Sequence, residues 1–417
     1  MSEVRHCLRT PADILSANDL SCSYYELIRR FVGEGLIKSS LDRGAFVRPH
    51  DVLGATPLDW VSARSNSFAY GPEAGDYQTR LAIADFDNER FGTAYDVENV
   101  AMVPGAWSGL SFVLEEIFQL VHGKSDNGRL LVVGPTHYPM FHRAINVLGI
   151  DVLGMDYVIA GAEHVPTSVE DLQQMLATRP KAIFVTNPNN PDGLYFSSSL
   201  LRTLVDACSR ERIYLIIDEI QDFLPVEGTK GLDYGAWIQS PWVVRIDSFS
   251  KKRALAEYRV GWVIAGPDLL RNRIGGGIIR RVSGLMGNAP RAANTAIIKL
   301  IEDWRHGIAT GEDKFAPVWN ELTNKERYVL NRLREVHGAS VLRREAAINI
   351  TVALPFYDSD LVLAEELMNH GTLIMPCGGY GYNSSDTVMR VTFAERPEKL
   401  EHAMNALETV IAAKLRH

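Results

Sequence analysis

The stretch "KAIFVTNPNNPDGLYFSSSLLRTLVDACSRERIYLIID", residues 181–218, decides the fold. It opens on a short apolar run, "AIFV", passes through a turn rich in Asn and Pro, and continues into "SSLLRTLVDACSRE", whose apolar residues recur at helical spacing. It closes on a second apolar run, "IYLII", that stops at Asp218. Two apolar runs joined by one amphipathic helix form a crossover unit, and such units make parallel sheets.

The same alternation extends outward from about residue 76 to 310. "VENVAMV", a helix at "WSGLSFVLEEIFQLV", "RLLVVG" and a helix at "PMFHRAINVLG" precede the central stretch, and "PWVVRID" follows it. A mostly parallel central sheet flanked by helices is expected, an α/β domain with ligand sites at strand ends. Helical pattern then runs from "RAANTAIIKLIEDW" to "ERYVLNRLREVHG". The strand-like "AAINITVALP", the helix "DLVLAEELMNHG", the strand "TVMRVTFA" and a last helix come after it, which reads as a smaller α+β lobe. The expected division is an N-terminal extension at 1–50, a large domain at 51–310 and a small C-terminal domain at 311–417.

Composition narrows the function classes. The 417 residues are 46% hydrophobic and 23% charged with a formal net charge of −8, so there is no basic excess to meet nucleic acid or an anionic membrane. The four cysteines, Cys7, Cys22, Cys208 and Cys377, are far apart, which suggests neither a zinc site nor a disulfide framework. No metal is expected. The first residues lack an apolar signal-like core and no apolar run is long enough to span a bilayer, so a cytoplasmic protein acting on small molecules is expected.

Four motifs each follow an expected strand. In "VPGAWSG", Gly105, Ala106 and Trp107 open a helix and offer unpaired backbone N–H groups to an anion, although most glycine turns before helices are only turns. In "TNPNNPDG" two Asn-Pro pairs fix a rigid turn that would present the Asn190 amide, or serve only as a loop. Asp218 ends a strand as a partly desolvated carboxylate that needs a cationic or donor partner, while Asp222 is a candidate helix cap. In "DSFSKKRALAEYRVGW", residues 247–262, Ser248, Ser250, Lys251 and Arg259 follow a strand; hydroxyls and an arginine can clamp one phosphate, and Lys252 is the competing lysine.

In this order the four motifs resemble the fold-type I pyridoxal-phosphate enzymes of the class I/II aminotransferase family, over roughly residues 68–410. The family pattern is an N-P-x-N-P-x-G turn, D-E-x-Y, S-x-S-K with an arginine eight positions beyond the lysine, and a late arginine on a strand. Here Arg259 lies eight past Lys251, and "MRVTFA" supplies Arg390. The resemblance implies pyridoxal 5'-phosphate as cofactor, amino and oxo acids as partners, and a homodimer with shared active sites. Lys251 would carry the cofactor as an imine and later shuttle a proton; Asp218 would keep the pyridine nitrogen protonated. Asn190 would donate to the ring's 3-oxygen. Gly105, Ala106, Trp107, Ser108, Ser248, Ser250 and Arg259 would surround the phosphate; Arg390 would take the substrate α-carboxylate, and Asn190 would also contact the substrate. In "PTHYPMF" either Tyr138 or His137 would stack on the ring, and Tyr70 would reach the phosphate of the neighbouring subunit.

Departures from the pattern matter as well. Gln221 stands where the family has a tyrosine near the 3-oxygen, Asp192 where it has threonine or serine, and Glu257 where many members have glycine. No arginine falls where aspartate-type members read a side-chain carboxylate; that place is near Ser283, with Arg280 and Arg281 close by, so a dicarboxylic substrate is not supported. Transfer of an amino group by a ping-pong mechanism is expected. The alternative on the same fold diverts the carbanion to elimination, cyclisation, decarboxylation or oxidative deamination. The segment "ADILSANDLSCSYYELIRRFVGEGLIKSSLDRGAFVRP" also resembles the later half of a GntR-type winged helix, which raises a regulator as an alternative. Against it, residues 1–50 hold seven Lys+Arg and six Asp+Glu, a net of about +1, where DNA contacts want a clear basic excess. The segment is read as a remnant or as part of the small lobe.

Overall fold

A computed structural model describes residues 8–9, 24–32, 34–41, 71–118, 128–134, 142–155, 159–160, 163–164, 173, 176–271, 276–355, 357, 359–380, 382 and 387–415. The stretch at 181–218 forms β6 (Ala182–Thr186), α3 (Ser198–Glu211) and β7 (Tyr214–Asp218). Helix α3 starts where the Ser197 hydroxyl accepts the Leu200 N–H at 3.3 Å, and it ends at Arg212 in the left-handed region. Leu200, Leu201, Leu204, Val205 and Cys208 line its buried face, the three-and-four spacing that the sequence shows.

Around this unit stand β1 (Leu8–Arg9), β3 (Val100–Val103), β4 (Arg129–Val133), β5 (Asp151–Met155), β8 (Val243–Asp247) and β9 (Gly261–Ile264). The sheet order is β1-β5-β4-β6-β7-β8-β9-β3. Strands β5, β4, β6, β7 and β8 are mutually parallel; β9 runs antiparallel to both β8 and β3, and β1 is antiparallel to β5. Alternate residues feed two separate cores. Leu130, Val132, Phe184, Ile216, Val244 and Ile246 pack under α2 (Ala106–Ile117) and α5 (Gly277–Met286). Leu131, Val133, Ile183, Val185, Leu215 and Ile217 pack under α3. A sheet covered on both faces needs apolar residues at every position, so these strands read as continuous apolar runs.

The long helical stretch is two helices, α6 (Arg291–Thr310) and α7 (Ala316–Glu335), separated where Gly311 takes a left-handed conformation. Beyond them lies an antiparallel sheet of β10 (Ser340–Val341), β11 (Asn349–Ala353), β14 (Val388–Thr392) and β13 (Met375–Pro376), in that order. It packs with α8 (Asp360–Asn369) and α9 (Pro397–Lys414). The N-terminal residues join this lobe. Strand β2 (Ser39–Ser40) pairs in parallel with β12 (Thr372–Leu373), Leu41 donates to Leu373 O at 2.8 Å, and Tyr24, Phe31 and Leu41 are buried in the same core. The described residues of this segment thus pack as part of the lobe, and the expected wing at "RGAFVRP" lies outside the described residues. Among the described residues no helix is long and apolar enough to cross a membrane.

Candidate active site

The motifs meet at one end of the large sheet because β6, β7 and β8 are adjacent and parallel, and each delivers its last residue to the same edge. Strand β8 ends at Asp247, Ser248 caps the one-turn helix α4 (Phe249–Lys252), and Lys251 sits in that turn. The two lysines have opposite fates. Lys252 is fully buried and its ammonium donates to Asp247 Oδ2 at 2.6 Å, with Asp222 at 3.9 Å. Lys251 is half-buried and has no ion pair or hydrogen bond from its amine among the described residues. Burial, then the Arg390 and Arg259 guanidiniums, push its amine down to about 8, against the opposing pull of Asp218. A neutral amine is therefore accessible near physiological pH, which a solvated lysine does not offer.

Asp218 closes β7 with its carboxylate buried. Its Oδ1 accepts the Ile220 N–H at 3.0 Å, and no cation lies within 4 Å of it among the described residues. Burial first, then the charges of Asp247 and Glu219, raise it to about 7 in spite of the Ile220 hydrogen bond and Lys252. A buried carboxylate in this state is a site for a cationic N–H donor.

The anion cradle forms where β9 brings β3 against β8. Gly105, at φ 85, is the cap of α2, and no side chain caps the helix, so its first-turn N–H groups point out of the helix end. A Cβ on Gly105 would lie 2.4 Å from Arg259 Nη2, which places the guanidinium directly against this turn. A Cβ on Gly261 would lie 2.7 Å from Ala106 N, so both glycines are needed for the close approach. Trp107 and Ser108 are half-buried at the helix start, and Arg259 is exposed, with Nη1 donating to Ala256 O at 3.1 Å. The two serines are more committed than expected. Ser248 donates to Val260 O at 2.5 Å while accepting the Ser250 N–H at 2.9 Å, and the two hydroxyls lie 2.6 Å apart. In this arrangement they brace the lysine turn.

Across the site, Arg390 on β14 donates to Asn190 Oδ1 at 3.2 Å and to the Tyr380 hydroxyl at 2.5 Å, and it is buried. Asn190 follows β6 in a turn closed by Asn189 and Gly193; Gly193, at φ 74, has no room for a side chain because a Cβ would meet Ala346 O at 2.3 Å. Asp192 is an internal brace for that turn. It accepts from Asn189 Nδ2, from Leu194 N–H at 3.0 Å and from Tyr382 at 3.4 Å. Gln221 is buried, and its Oε1 finds no hydrogen-bond partner among the described residues.

Other expectations meet different outcomes. Asp222 does not cap a helix: the chain turns there, and Asp222 takes Arg90 at 3.0 Å and the Tyr195 hydroxyl at 2.9 Å. Arg280 reaches Glu73 at 3.3 Å and Arg281 reaches Glu116 at 2.7 Å, so both are paired within the chain. Glu257 is exposed on a short turn. Tyr70, His137 and Tyr138 lie outside the described residues. Sequence reasoning missed Tyr380 and the Lys252–Asp247 pair. The first depends on β13 and β14 pairing with Met375 opposite Arg390, the second on a strand end folding back onto its own turn.

Pyridoxal phosphate asks for an amine, an acid for its ring nitrogen and a cradle for a phosphate. The half-buried amine of Lys251, the buried Asp218 carboxylate with no cation beside it, and the Gly105–Arg259 cradle fit those needs, and the orphaned Gln221 Oε1 marks a further polar position. Comparison with known proteins agrees. Residues 40–407 match the family model for aminotransferase class I and II. An alanine aminotransferase of Mycobacterium tuberculosis is 24% identical over 305 residues, 72% of this chain and 67% of that protein. An aspartate aminotransferase of Pyrococcus horikoshii is 20% identical over 344 residues, 82% of this chain and 83% of that one. The solved N-succinyldiaminopimelate aminotransferase of M. tuberculosis superposes with a TM-score of 0.74 at 17% identity, covering 93% of this chain and 96% of the other. The chain belongs to the class I and II aminotransferase family and is a pyridoxal-phosphate-dependent aminotransferase.

Proposed function

We propose that the protein transfers an amino group between an α-amino acid and a 2-oxo acid, with Lys251 as the amine that binds the cofactor and moves the substrate's α-proton. The observation that carries this assignment is the contrast between two adjacent lysines. Lys252 is held by Asp247, while Lys251 faces two guanidiniums and Asp218 with its amine pushed down to about 8. Bound pyridoxal phosphate supplies an electron-withdrawing ring that accepts the electrons of the α-carbon.

This chain's own residues do the rest. Asp218 keeps the ring nitrogen protonated by giving it a buried anionic partner. The N–H groups at Ala106, Trp107 and Ser108, with Arg259, would hold the phosphate and anchor the cofactor independently of Lys251. Asn190 donates to the ring's 3-oxygen, and Gln221 offers its amide near the same place. Ser248 and Ser250 fix the turn that aims Lys251. Arg390 takes the α-carboxylate with its guanidinium, held in place by Asn190 and Tyr380. The relatives named alanine, aspartate and N-succinyldiaminopimelate aminotransferase support an amino-acid substrate. With Arg280 and Arg281 paired internally, a monocarboxylic donor fits better than a dicarboxylic one.

We further propose a homodimer in which Tyr70 reaches the partner's phosphate site, a ring-stacking role for Tyr138 or His137, and a large domain at 51–310 followed by a small one at 311–417. The N-terminal extension belongs with the small domain, since β2 pairs with β12. A cytoplasmic location fits the buried free thiols of Cys208 and Cys377. The test is an absorption titration of purified protein with a panel of amino acids, run beside Lys251→Ala. An amino acid that converts the cofactor band, with reversal by an oxo acid, is the expected result; a wild-type protein whose cofactor band does not depend on Lys251 overturns the assignment.

A further inference from the structure

Behind the strand ends that carry Asp218 and Lys251 lies a buried ionic layer that the transfer reaction does not use. Alternation along β7 and β8 turns Glu219, Arg245 and Asp247 toward the face opposite Ile216 and Ile246, and α1 (Tyr77–Phe91) adds Asp87 and Arg90. Arg245 is bidentate on Glu219 and also holds Asp87. Asp222 takes Arg90 and Tyr195, and Asp247 takes the Lys252 ammonium and the Ser248 N–H at 2.7 Å. All of these side chains are buried except Arg90 and Tyr195, which are partly so. Four carboxylates thus meet three cations, and Lys252 is the cation next in sequence to the cofactor lysine.

Asp247 lies one residue past Ile246, which pairs in register with Asp218 on the neighbouring strand. The pair therefore lies one strand over from Asp218 and on the other face of the sheet, and both of its charges still act on that carboxyl, Asp247 raising it and Lys252 lowering it. We propose that Lys252, paired with Asp247, is a positioning residue that sets the electrostatic potential at Asp218 and so at the bound cofactor. This inference rests on the assignment of Asp218 and Lys251 above. The charged groups facing the pair are Glu219 just past the end of β7, Asp222 from the loop that follows, Arg245 from β8 itself, and Asp87 and Arg90 from α1; Lys251, Arg259 and Arg390 act from the cofactor side. In wild type Asp247 is raised to about 6 by burial, against the pull of Lys252, so it is ionised above that pH; without Lys252 that pull is lost and Asp247 takes up a proton more readily.

Loss of Lys252 makes the potential at the ring more negative and favours the protonated form of the cofactor-linked nitrogen, so the pH midpoint of the holoprotein's absorption change rises. Loss of the Asp247 charge lowers it. At an effective dielectric constant of about 20 and a separation on the order of 12 Å from the cofactor-linked nitrogen, each change amounts to roughly one pH unit. The experiment compares that midpoint in wild type, Lys252→Met, Asp247→Asn, the double variant and Lys252→Arg.

A fall for Asp247→Asn and near wild-type values for the double variant and Lys252→Arg are expected, with a rise for Lys252→Met only as far as Asp247 stays ionised. An Asp247→Asn midpoint that stays within about 0.2 pH units of wild type and of the double variant, equivalent to a few tenths of a kcal/mol, or that rises, overturns the proposal. If Lys252→Met does not fold, because a broken buried pair leaves a bare charge, Asp247→Asn against the double variant still isolates the Lys252 charge. The single variant must then have the lower midpoint, and equal midpoints refute the idea. Absence of a Lys251-dependent band in wild type refutes the functional assignment instead.

Discussion

Replacing Asp218 with asparagine should stabilise the cofactor-free protein and weaken the cofactor-bound one. Without cofactor, the Asp218 carboxyl is buried with one N–H donor from Ile220 and is raised to about 7, mainly by burial. An unfolded aspartate titrates near 3.9, so the folded state holds more protons between roughly pH 4 and pH 7, and stability falls across that window. At about 1.4 kcal/mol per pH unit, that gap makes the ionised carboxylate cost up to about 4 kcal/mol at pH 8 and above. Asparagine does not titrate. Urea unfolding of the apoprotein should therefore show Asp218→Asn more stable than wild type at pH 8.5, with the advantage shrinking toward pH 5. Any fixed cost of the amide appears at both pH values and cancels in the comparison. With pyridoxal phosphate bound the order reverses, because the amide cannot ion-pair with the ring nitrogen. A stability difference between variant and wild type that is the same at pH 5 and pH 8.5 would falsify the reasoning.

Three further outcomes are expected. Gly105→Ala combines a positive-φ extended backbone (φ 85, ψ 152), at about 1–3 kcal/mol for a non-glycine residue, with a methyl group against Arg259, so cofactor affinity measured by equilibrium dialysis should drop about tenfold or more while the fold persists. Wild-type affinity would show that this turn does not hold the phosphate. Arg390→Gln removes a charged partner for a carboxylate, worth about 2–4 kcal/mol, and should raise the apparent KM for amino acids by about 30-fold or more with the cofactor spectrum retained. Equal KM values would move the carboxylate site elsewhere. Gln221→Tyr restores a phenol in place of the orphaned amide oxygen and should shift the pH dependence of the cofactor band. Unchanged spectra and products would show that Gln221 does not face the ring.

The large sheet was legible because it is buried on both faces. A run such as "AIFV" or "YLII" must be apolar throughout, and a helix between two such runs forces them parallel. The order of Asn190, Asp218, Lys251, Arg259 and Arg390 along the chain carries the family resemblance that implied their chemistry, and strand ends at a ligand-bearing edge are consistent with it. The small lobe was less plain: the sequence left residues 12–49 as a winged-helix remnant or as part of that lobe, and only the pairing of Ser39–Ser40 with Thr372–Leu373 shows how the described residues of that segment pack, because a short helix and strand look alike whether they bind DNA or cover a neighbouring sheet.

Local spacing carries only what lies within one or two elements. It determined that Lys251 and Lys252 share a turn after a strand; it could not say that Lys252 folds back onto Asp247 while Lys251 meets Arg390, 139 positions away, a separation read from the numbering. Nor could it show that the hydroxyls of Ser248 and Ser250 are drawn to each other and to Val260, or that Tyr380 steadies Arg390. Those facts depend on which strands become neighbours and in what register, and on burial, which removes water and lets nearby charges decide whether an amine keeps its proton.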